Sequence, residues 1–426
     1  MTSLATAGSG SRSRTYVLCL LTLIATLSFI DRNIILILQE QIRRDFMLKD
    51  WQLGLMTGTV FTLFAATLAM PIARFADRGA TRTTIIAVSV AGWSFMTIVC
   101  GLAQNYGQLL LARCGVGIGN AGGGSSTHSI ISDLYSVSER SRAMAIWALA
   151  IPLGAALGLL LGGWLAQNVG WHGALMLVGC PGILVALLFK ITVPEPPRGL
   201  IDGKSVGRED HMSIGLAIRT MLANRTYLHV LTAGMVASMC SLGMNIWFPP
   251  FFMRVHGMSI AEVGLGWGLV TGAAGVIGIL GGGWLSDRFG SRDPRRIVWV
   301  PTAGMLVSVP FYWASVLTGS PVWSLAFLFV PMVMNNIWIA PVTALAMSLV
   351  PVPIRATSSA TMTLVHNIIG GGAAPLLLGA LSDLLAARSG DPAEGLRWML
   401  LIVGGFYFWA AAHFWAASRT IGRDLA

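Results

Sequence analysis

Twelve runs of about twenty or more residues, nearly free of charge, are spaced along the whole 426-residue chain. A spanning helix needs about 20 apolar residues, and a bilayer core admits only helices and closed barrels, because backbone polar groups find no water there. The runs lie at approximately 15–38, 51–76, 82–104, 107–131, 142–166, 172–192, 226–253, 261–286, 296–318, 321–349, 355–386 and 396–418. Barrel strands would be about ten residues long and strictly alternating; these runs are longer and uniformly apolar. Composition agrees: 55% of residues are hydrophobic and only 11% charged, against about 25% charged in soluble domains. Such a chain has too little polar surface for a water-soluble enzyme, and its hydrophobicity excludes a disordered or collagen-like chain. The expected fold is an all-α membrane protein of twelve transmembrane helices.

Charge placement gives an orientation. The formal net charge is +10, but the basic residues sit singly in short gaps and form no stripe, so nucleic acid is not an expected partner. With the N-terminus in the cytoplasm, 20 of the 28 Lys and Arg fall on the cytoplasmic side, six on the opposite side, and Arg32 and Arg113 within helices. Basic residues concentrate on the cytoplasmic side, so both termini are expected there, in a multi-pass protein of the cell (inner) membrane. The five cysteines have no paired spacing, which argues against a disulfide framework or a zinc site. The first apolar run has no clear cleavage site and is too long for a signal peptide, so it is read as a retained first helix.

The longest polar stretch, 194–225, separates two similar halves. The expected organisation is a cytoplasmic N-terminus (1–14), a six-helix bundle (15–193), a cytoplasmic linker (194–225), a second six-helix bundle (226–418) and a cytoplasmic C-terminus (419–426). Asp77-Arg78 after helix 2 matches Asp287-Arg288 after helix 8, 210 residues on, and Arg140 after helix 4 matches Arg355 after helix 10, 215 residues on. Two pseudo-symmetric bundles joined by a linker form the parallel-repeat architecture of many secondary transporters.

Asp31 and Arg32 lie deep in the first run. Charges at bilayer depth cost about 2.5–3.5 kcal/mol each on insertion scales and usually face a cavity or a partner. They are either a packing ion pair or, as the rarity of such charges favours, a proton or substrate site. At 1.5 Å per residue, Asp31 and Arg113 both lie about 24–27 Å from the cytoplasmic ends of their helices, so a pair between them is allowed. Asn120 is two turns from Arg113 on the same helix face. The repeat projects Asp31 onto Asn245 and Asn120 onto Asn335. Asn336, His366 and Asn367 join these as candidate cavity-lining residues. For His366, a packed neutral ring competes evenly with a ligand or proton role. Trp247, before Pro249-Pro250, either lines the cavity or packs in the core, the commoner role. Asp77, Arg78, Asp287, Arg288, Arg140 and Arg355 are either gating residues that lock one access state or plain topology signals.

The segment Gly283-Trp284-Leu285-Ser286-Asp287-Arg288-Phe289-Gly290-Ser291-Arg292 resembles the loop signature of the major facilitator superfamily. The first copy departs from it, with Ala73 for glycine and Ala80-Thr81 for Gly-Arg. Within that superfamily the chain is most similar to spinster-like transporters, through Phe29-Ile30-Asp31-Arg32-Asn33, Arg113-Cys114-Gly115-Val116-Gly117-Ile118-Gly119, Gly162-Gly163-Trp164 with Gly170-Trp171, and Pro194 to Gly199. Organic anion:cation symporters also carry an Asp-Arg in helix 1. The spinster-like pattern has a glutamate where this chain has Asn120, which removes a carboxylate. The resemblance implies the major facilitator fold and alternating access, with helices 1, 4, 7 and 10 lining the cavity. It implies a carrier of an amphipathic organic anion, lysolipid-like or carboxylate, proton-coupled through Asp31, with Arg32 and Arg113 on the anion or tuning Asp31. The alternative is a small organic-acid:proton symporter. Membrane lipids are partners, no cofactor or metal is expected, and the protein is expected to act as a monomer.

Two motifs are discounted. Gly117 to Gly122 fits GxGxxG but follows no strand. Asn224-Arg225-Thr226 fits a glycosylation triplet but falls in the linker. No nucleophile elbow, zinc-protease or P-loop motif occurs, so the chain is not read as an enzyme or, lacking an added soluble domain, as a receptor.

Overall fold

A computed structural model describes residues 11–77, 79–197, 214–290 and 295–424. Every regular element among the described residues is helical. Ten helical stretches are long and apolar enough to cross a membrane. One of them, Ser138–Thr192, is 55 residues long, and as one straight helix it would reach about 80 Å, far beyond a hydrocarbon core of about 30 Å. Gly170 divides it, with φ 72° and ψ 170°, a region open essentially to glycine alone. The result is two passes, helix 5 (137–169) and helix 6 (171–192). Helix 4 adds the twelfth pass as two pieces, Tyr106–Asn120 and Gly123–Leu134, each too short to span alone.

The remaining passes are helix 1 (Ser11–Phe46), helix 2 (50–77), helix 3 (Arg82–Gly101), helix 7 (Arg225–Val255), helix 8 (Ile260–Gly290), helix 9 (Arg295–Leu317), helix 10 (Pro321–Ser348), helix 11 (355–389) and helix 12 (Pro392–Asp424). The last part of the expected linker is itself helical, Ile214–Ala223. Residues 198–213, Arg78, and the expected terminal segments at 1–10 and 425–426 lie outside the described residues.

The apolar surplus goes outward. Leu153, Leu157, Leu161 and Trp164 on helix 5, and Leu184, Leu187, Leu188 and Ile191 on helix 6, are exposed at helical spacing. Water would not tolerate such stripes; a bilayer solvates them. Between helices the chain uses small residues for close approach. A Cβ on Gly154 would sit 2.7 Å from the Thr26 carbonyl, and one on Gly158 2.7 Å from the Ile30 carbonyl, so helix 5 seats on helix 1 backbone to backbone.

Two compact units emerge. The first takes the chain up to Ile35 and resumes at Leu63 for the rest of helices 2 to 6; the second takes Leu36–Thr62 together with helices 7 to 12. Helix 1 is longer than its apolar run implied. The sequence ends the span at 38, where Gln39-Glu40-Gln41 begins, but the helix continues to Phe46 and stops at Met47, whose φ is +50°. The polar turn stays helical because its side chains find partners inside the second unit. Gln39 donates to the Ile246 carbonyl and Arg254 to Glu40.

Gly170→Ala is expected to destabilise the detergent-solubilised protein by about 1–3 kcal/mol, the cost of holding a non-glycine residue in that backbone region. No neighbour lies within 4 Å of the new Cβ, so strain and not a clash is tested. Gly281→Ala, equally open but at ordinary helical φ, is the control and should be near neutral. Equal thermal midpoints for both variants would contradict this account.

Candidate functional site

The first unit gathers the charges that the sequence singles out. Asp31 is buried on helix 1, and the Thr97 hydroxyl of helix 3 donates to its Oδ1. Its Oδ2 is buried with no hydrogen-bond partner among the described residues. Arg113 of helix 4 is buried, and its charge and that of Arg32 act on the Asp31 carboxylate. Arg32 is exposed, with its guanidinium over the Phe29 ring at 5.5 Å. Asn120 Nδ2 donates to Ser28 Oγ at 2.8 Å and ties helix 4 to helix 1. Thus Asp31, Arg32, Arg113 and Asn120 share one neighbourhood, with Thr97 and Ser28 as members that the sequence reading missed. Neither hydroxyl stands out in sequence, since Ser and Thr satisfy themselves routinely inside helices.

This arrangement holds two cationic side chains against one carboxylate. A buried carboxylate oxygen without a donor can take a proton or meet a cationic group, and the surplus guanidinium charge suits an anion.

The candidate positions of the second half have separate partners. Asn335 is buried and accepts from the Tyr407 hydroxyl at 2.9 Å. Asn336 Nδ2 donates to the Met332 carbonyl of its own helix at 2.8 Å. Trp247 is fully buried, in keeping with a packing role. Asn245 is half-buried, and its Oδ1 has no hydrogen-bond partner among the described residues. His366, half-buried, meets the Trp338 ring edge-on at 5.5 Å. Asn367 is exposed at the start of an irregular segment of helix 11.

Of the candidate gating residues, Asp77 ends helix 2 and Asp287 lies in helix 8, while Arg78 is outside the described residues. Arg288 stacks over Trp284 at 5.6 Å, Arg140 donates to the Ser132 carbonyl at 2.7 Å, and Arg355 is exposed at the start of helix 11.

Two stronger ion clusters escaped the sequence reading. In the first unit, Arg82 at the start of helix 3 is buried between Asp133 and Glu195. Its Nε donates to Glu195 at 2.8 Å and its Nη2 to the Pro196 carbonyl at 2.7 Å. Glu195 also accepts from the Thr83 N–H and hydroxyl, at 2.9 and 3.0 Å. A cation at a helix N-terminus is unfavourable, and a carboxylate there is favourable; Glu195 supplies the carboxylate. In the second unit, Arg254 of helix 7 donates to Glu40 at 2.8 Å and to Asp50 at 2.9 Å. Ser382 of helix 11 donates to Asp50 at 2.7 Å, and Asp383 caps the start of helix 2 by accepting from the Asp50 and Trp51 N–H groups. Read as loop and topology charges, these residues carry no local sign that they pair, 113 and 214 residues apart.

Partial burial raises the Glu195 carboxyl, but the Thr83 N–H and the Arg82 guanidinium outweigh it and hold it below the ordinary carboxylate value. A depressed folded value means that the contribution to stability is present above the ordinary range and is lost as pH falls through the folded value. Glu195→Gln should therefore cost about 1.5–3 kcal/mol at neutral pH, the worth of hydrogen bonds to a charged group. The gap from wild type should close on acidification. Thermal midpoints of both proteins across a pH series test this; a gap that stays constant into acid would contradict it.

Residues 21–375 match the model of the Major Facilitator Superfamily. An MFS-type efflux pump of Mycolicibacterium smegmatis is 33% identical over 409 residues, covering 95% of this chain and 92% of that protein. Protein spinster homolog 1 of Homo sapiens is 27% identical over 432 residues, covering 95% and 81%. The crystal structure of a bacterial homolog to the human lysosomal transporter Spinster, in an inward-facing and unoccupied conformation, is similar with a TM-score of 0.88 at 32% identity, covering 96% of this chain and 98% of that one.

Proposed function

The chain belongs to the major facilitator superfamily, as a spinster-like transporter, and from that premise we propose that it carries an amphipathic organic anion, lysolipid-like or carboxylate, together with a proton held by Asp31. The observation that carries this reading is the charge balance beside Asp31: two guanidiniums, Arg32 and Arg113, against one carboxylate with an unpartnered oxygen. With Asp31 ionised the group is at +1, which suits an anion. A proton on Asp31 raises it to +2 and strengthens the anion's hold. Binding linkage is reciprocal, so the anion in turn favours the proton, and the two cross in the same direction. Alternating access through the twelve helices supplies the route, with both termini in the cytoplasm of a cell whose inner membrane holds the protein.

In liposomes containing the purified protein, an imposed proton gradient should accelerate entry of a fluorescent lysophospholipid, with short-chain carboxylates assayed in parallel. Asp31→Asn should remove at least tenfold of the gradient-driven rate while the folded protein remains in the membrane. Undiminished gradient-driven transport in that variant would overturn proton coupling through Asp31. Faster entry of the short-chain acids than of the lysophospholipid would replace the amphipathic substrate with a small organic acid.

The 20-to-6 distribution of basic residues supports the orientation. A C-terminal alkaline phosphatase fusion should be inactive, and a fluorescent protein fused at the same place should mature. Phosphatase activity on the periplasmic side would reverse the topology.

A further inference from the structure

Three stretches of the second unit are wound as π-helix: Leu55–Thr59 in helix 2, Met239–Gly243 in helix 7 and Asn367–Ala373 in helix 11. They hold five, five and seven residues, seventeen of the 426. That is about 4% of the chain, where π-helix normally accounts for well under 1% and occurs as isolated single turns, often at functional sites. Nor are they scattered. The helix 11 stretch packs against both of the others.

Their contacts include close approaches of backbone to backbone. A Cβ on Gly58 would lie 2.6 Å from the Gly371 carbonyl, and one on Gly370 would lie 2.6 Å from the Ser238 carbonyl. Thr59 Oγ1 donates to the Gly372 carbonyl at 2.6 Å, so a single hydroxyl bonds one π-stretch to another. Pro375 against Gly58 and Leu378 against Gly243 add side-chain contacts, while the glycines make the backbone there easy to rewind.

All three helices carry the buried ion cluster at the same end. Asp50 stands five residues before the helix 2 stretch. Arg254 comes eleven residues after the helix 7 stretch, and Ser382 and Asp383 nine and ten after that of helix 11. The Asp50 carboxylate takes bonds from both Arg254 and Ser382, and Asp383 holds the start of helix 2. The three helix ends are thus tied to one another by charge on one side of the π-stretches. Separating these charges one by one would strand buried ions. Moving the ends together would not.

We propose that the three stacked π-stretches are a hinge layer, and that the ends of helices 2, 7 and 11 beyond it, with the end of helix 1 bound to them through Glu40 and Arg254, turn as one ion-paired cap. The step is interconversion of π and α winding. Winding the one extra residue of a π-turn into α geometry advances everything beyond it by about 100° and 1.5 Å, a large reorientation for small local change. As a gate in the transport cycle this rests on the function proposed above; as a mechanical property of the second unit it does not.

Amide hydrogen exchange on the full-length protein in nanodiscs, without substrate, tests it. Peptides covering 55–59, 239–243 and 367–373 should exchange at least tenfold faster than the helical turns flanking them. Thr59→Val, which removes only the bond to Gly372, should accelerate exchange in all three stretches, and not in helix 2 alone. Removal of Gly371 should restore α winding in helix 11 and slow exchange in the other two. If that deletion does not fold, the wild type and Thr59→Val decide between them. Exchange at the rate of the flanking turns, or a Thr59→Val effect confined to 55–59, overturns the hinge. Coupled exchange in a protein that fails to transport any anion would retain the hinge and sink the transport reading instead.

Discussion

A charge taken out of water into an apolar bundle must be paired, hydrogen-bonded or given up as a proton. Three groups of residues here are solutions to that one constraint. Arg82 meets two carboxylates and a carbonyl at the start of helix 3. Arg254 meets Glu40 and Asp50, and Ser382 donates to Asp50 as well. Asp31 has Thr97 on one oxygen and cationic neighbours, but its other oxygen has no hydrogen-bond donor. In the first two groups each buried arginine is ion-paired with two carboxylates and so holds helices together, although Asp50 Oδ1 and Arg254 Nη2 have no hydrogen-bond partner among the described residues. In the third the partnerless atom is an oxygen of the group's one carboxylate, where a proton or a ligand can act.

The two arginine clusters also explain the shape of individual elements. Helix 1 runs past its apolar stretch because Gln39 and Glu40 are partnered by helix 7. Helix 3 begins with a buried arginine because Glu195, arriving from beyond helix 6, neutralises it and caps the same turn. Neither helix end could be explained from its own residues.

The twelve passes were legible because the bilayer imposes length and apolarity on each, and even the split at Gly170 falls in the gap between two expected spans. Asp31, Arg113 and Asn120 were legible because a charge or amide in an apolar run is rare. What sequence could not reveal was pairing across long separations: Arg82 with Glu195, Arg254 with Glu40, Ser382 with Asp50. A lone arginine at a helix end reads as a topology signal whether or not a carboxylate from elsewhere covers it. The projected pair Asn245 and Asn335 shows the complementary limit. The repeat carries backbone positions from one half to the other, but Asn335 spends its oxygen on Tyr407, whereas Asn120 reaches Ser28. The π-stretches were invisible for another reason. Their residues are as apolar and glycine-rich as their neighbours, and winding is decided by the helices packed alongside.

On the function proposed above, the asymmetry between the halves bears on the charge of the cargo. The first half holds the carboxylate and both guanidiniums; at the positions matching Asp31, Arg32 and Arg113 the second half holds Asn245, Ile246 and Leu328, none of them charged. Asn120 sharpens this. A glutamate there, as in the spinster-like pattern, would bring the group of Asp31, Arg32 and Arg113 to neutrality, a balance suited to a zwitterion that brings its own cation. Asparagine keeps the hydrogen bond to helix 1 and leaves the group one positive charge in surplus. On the transport reading, that single replacement shifts the preferred cargo from a zwitterion toward a net anion, and leaves Asp31 as the carboxylate through which a proton can join it.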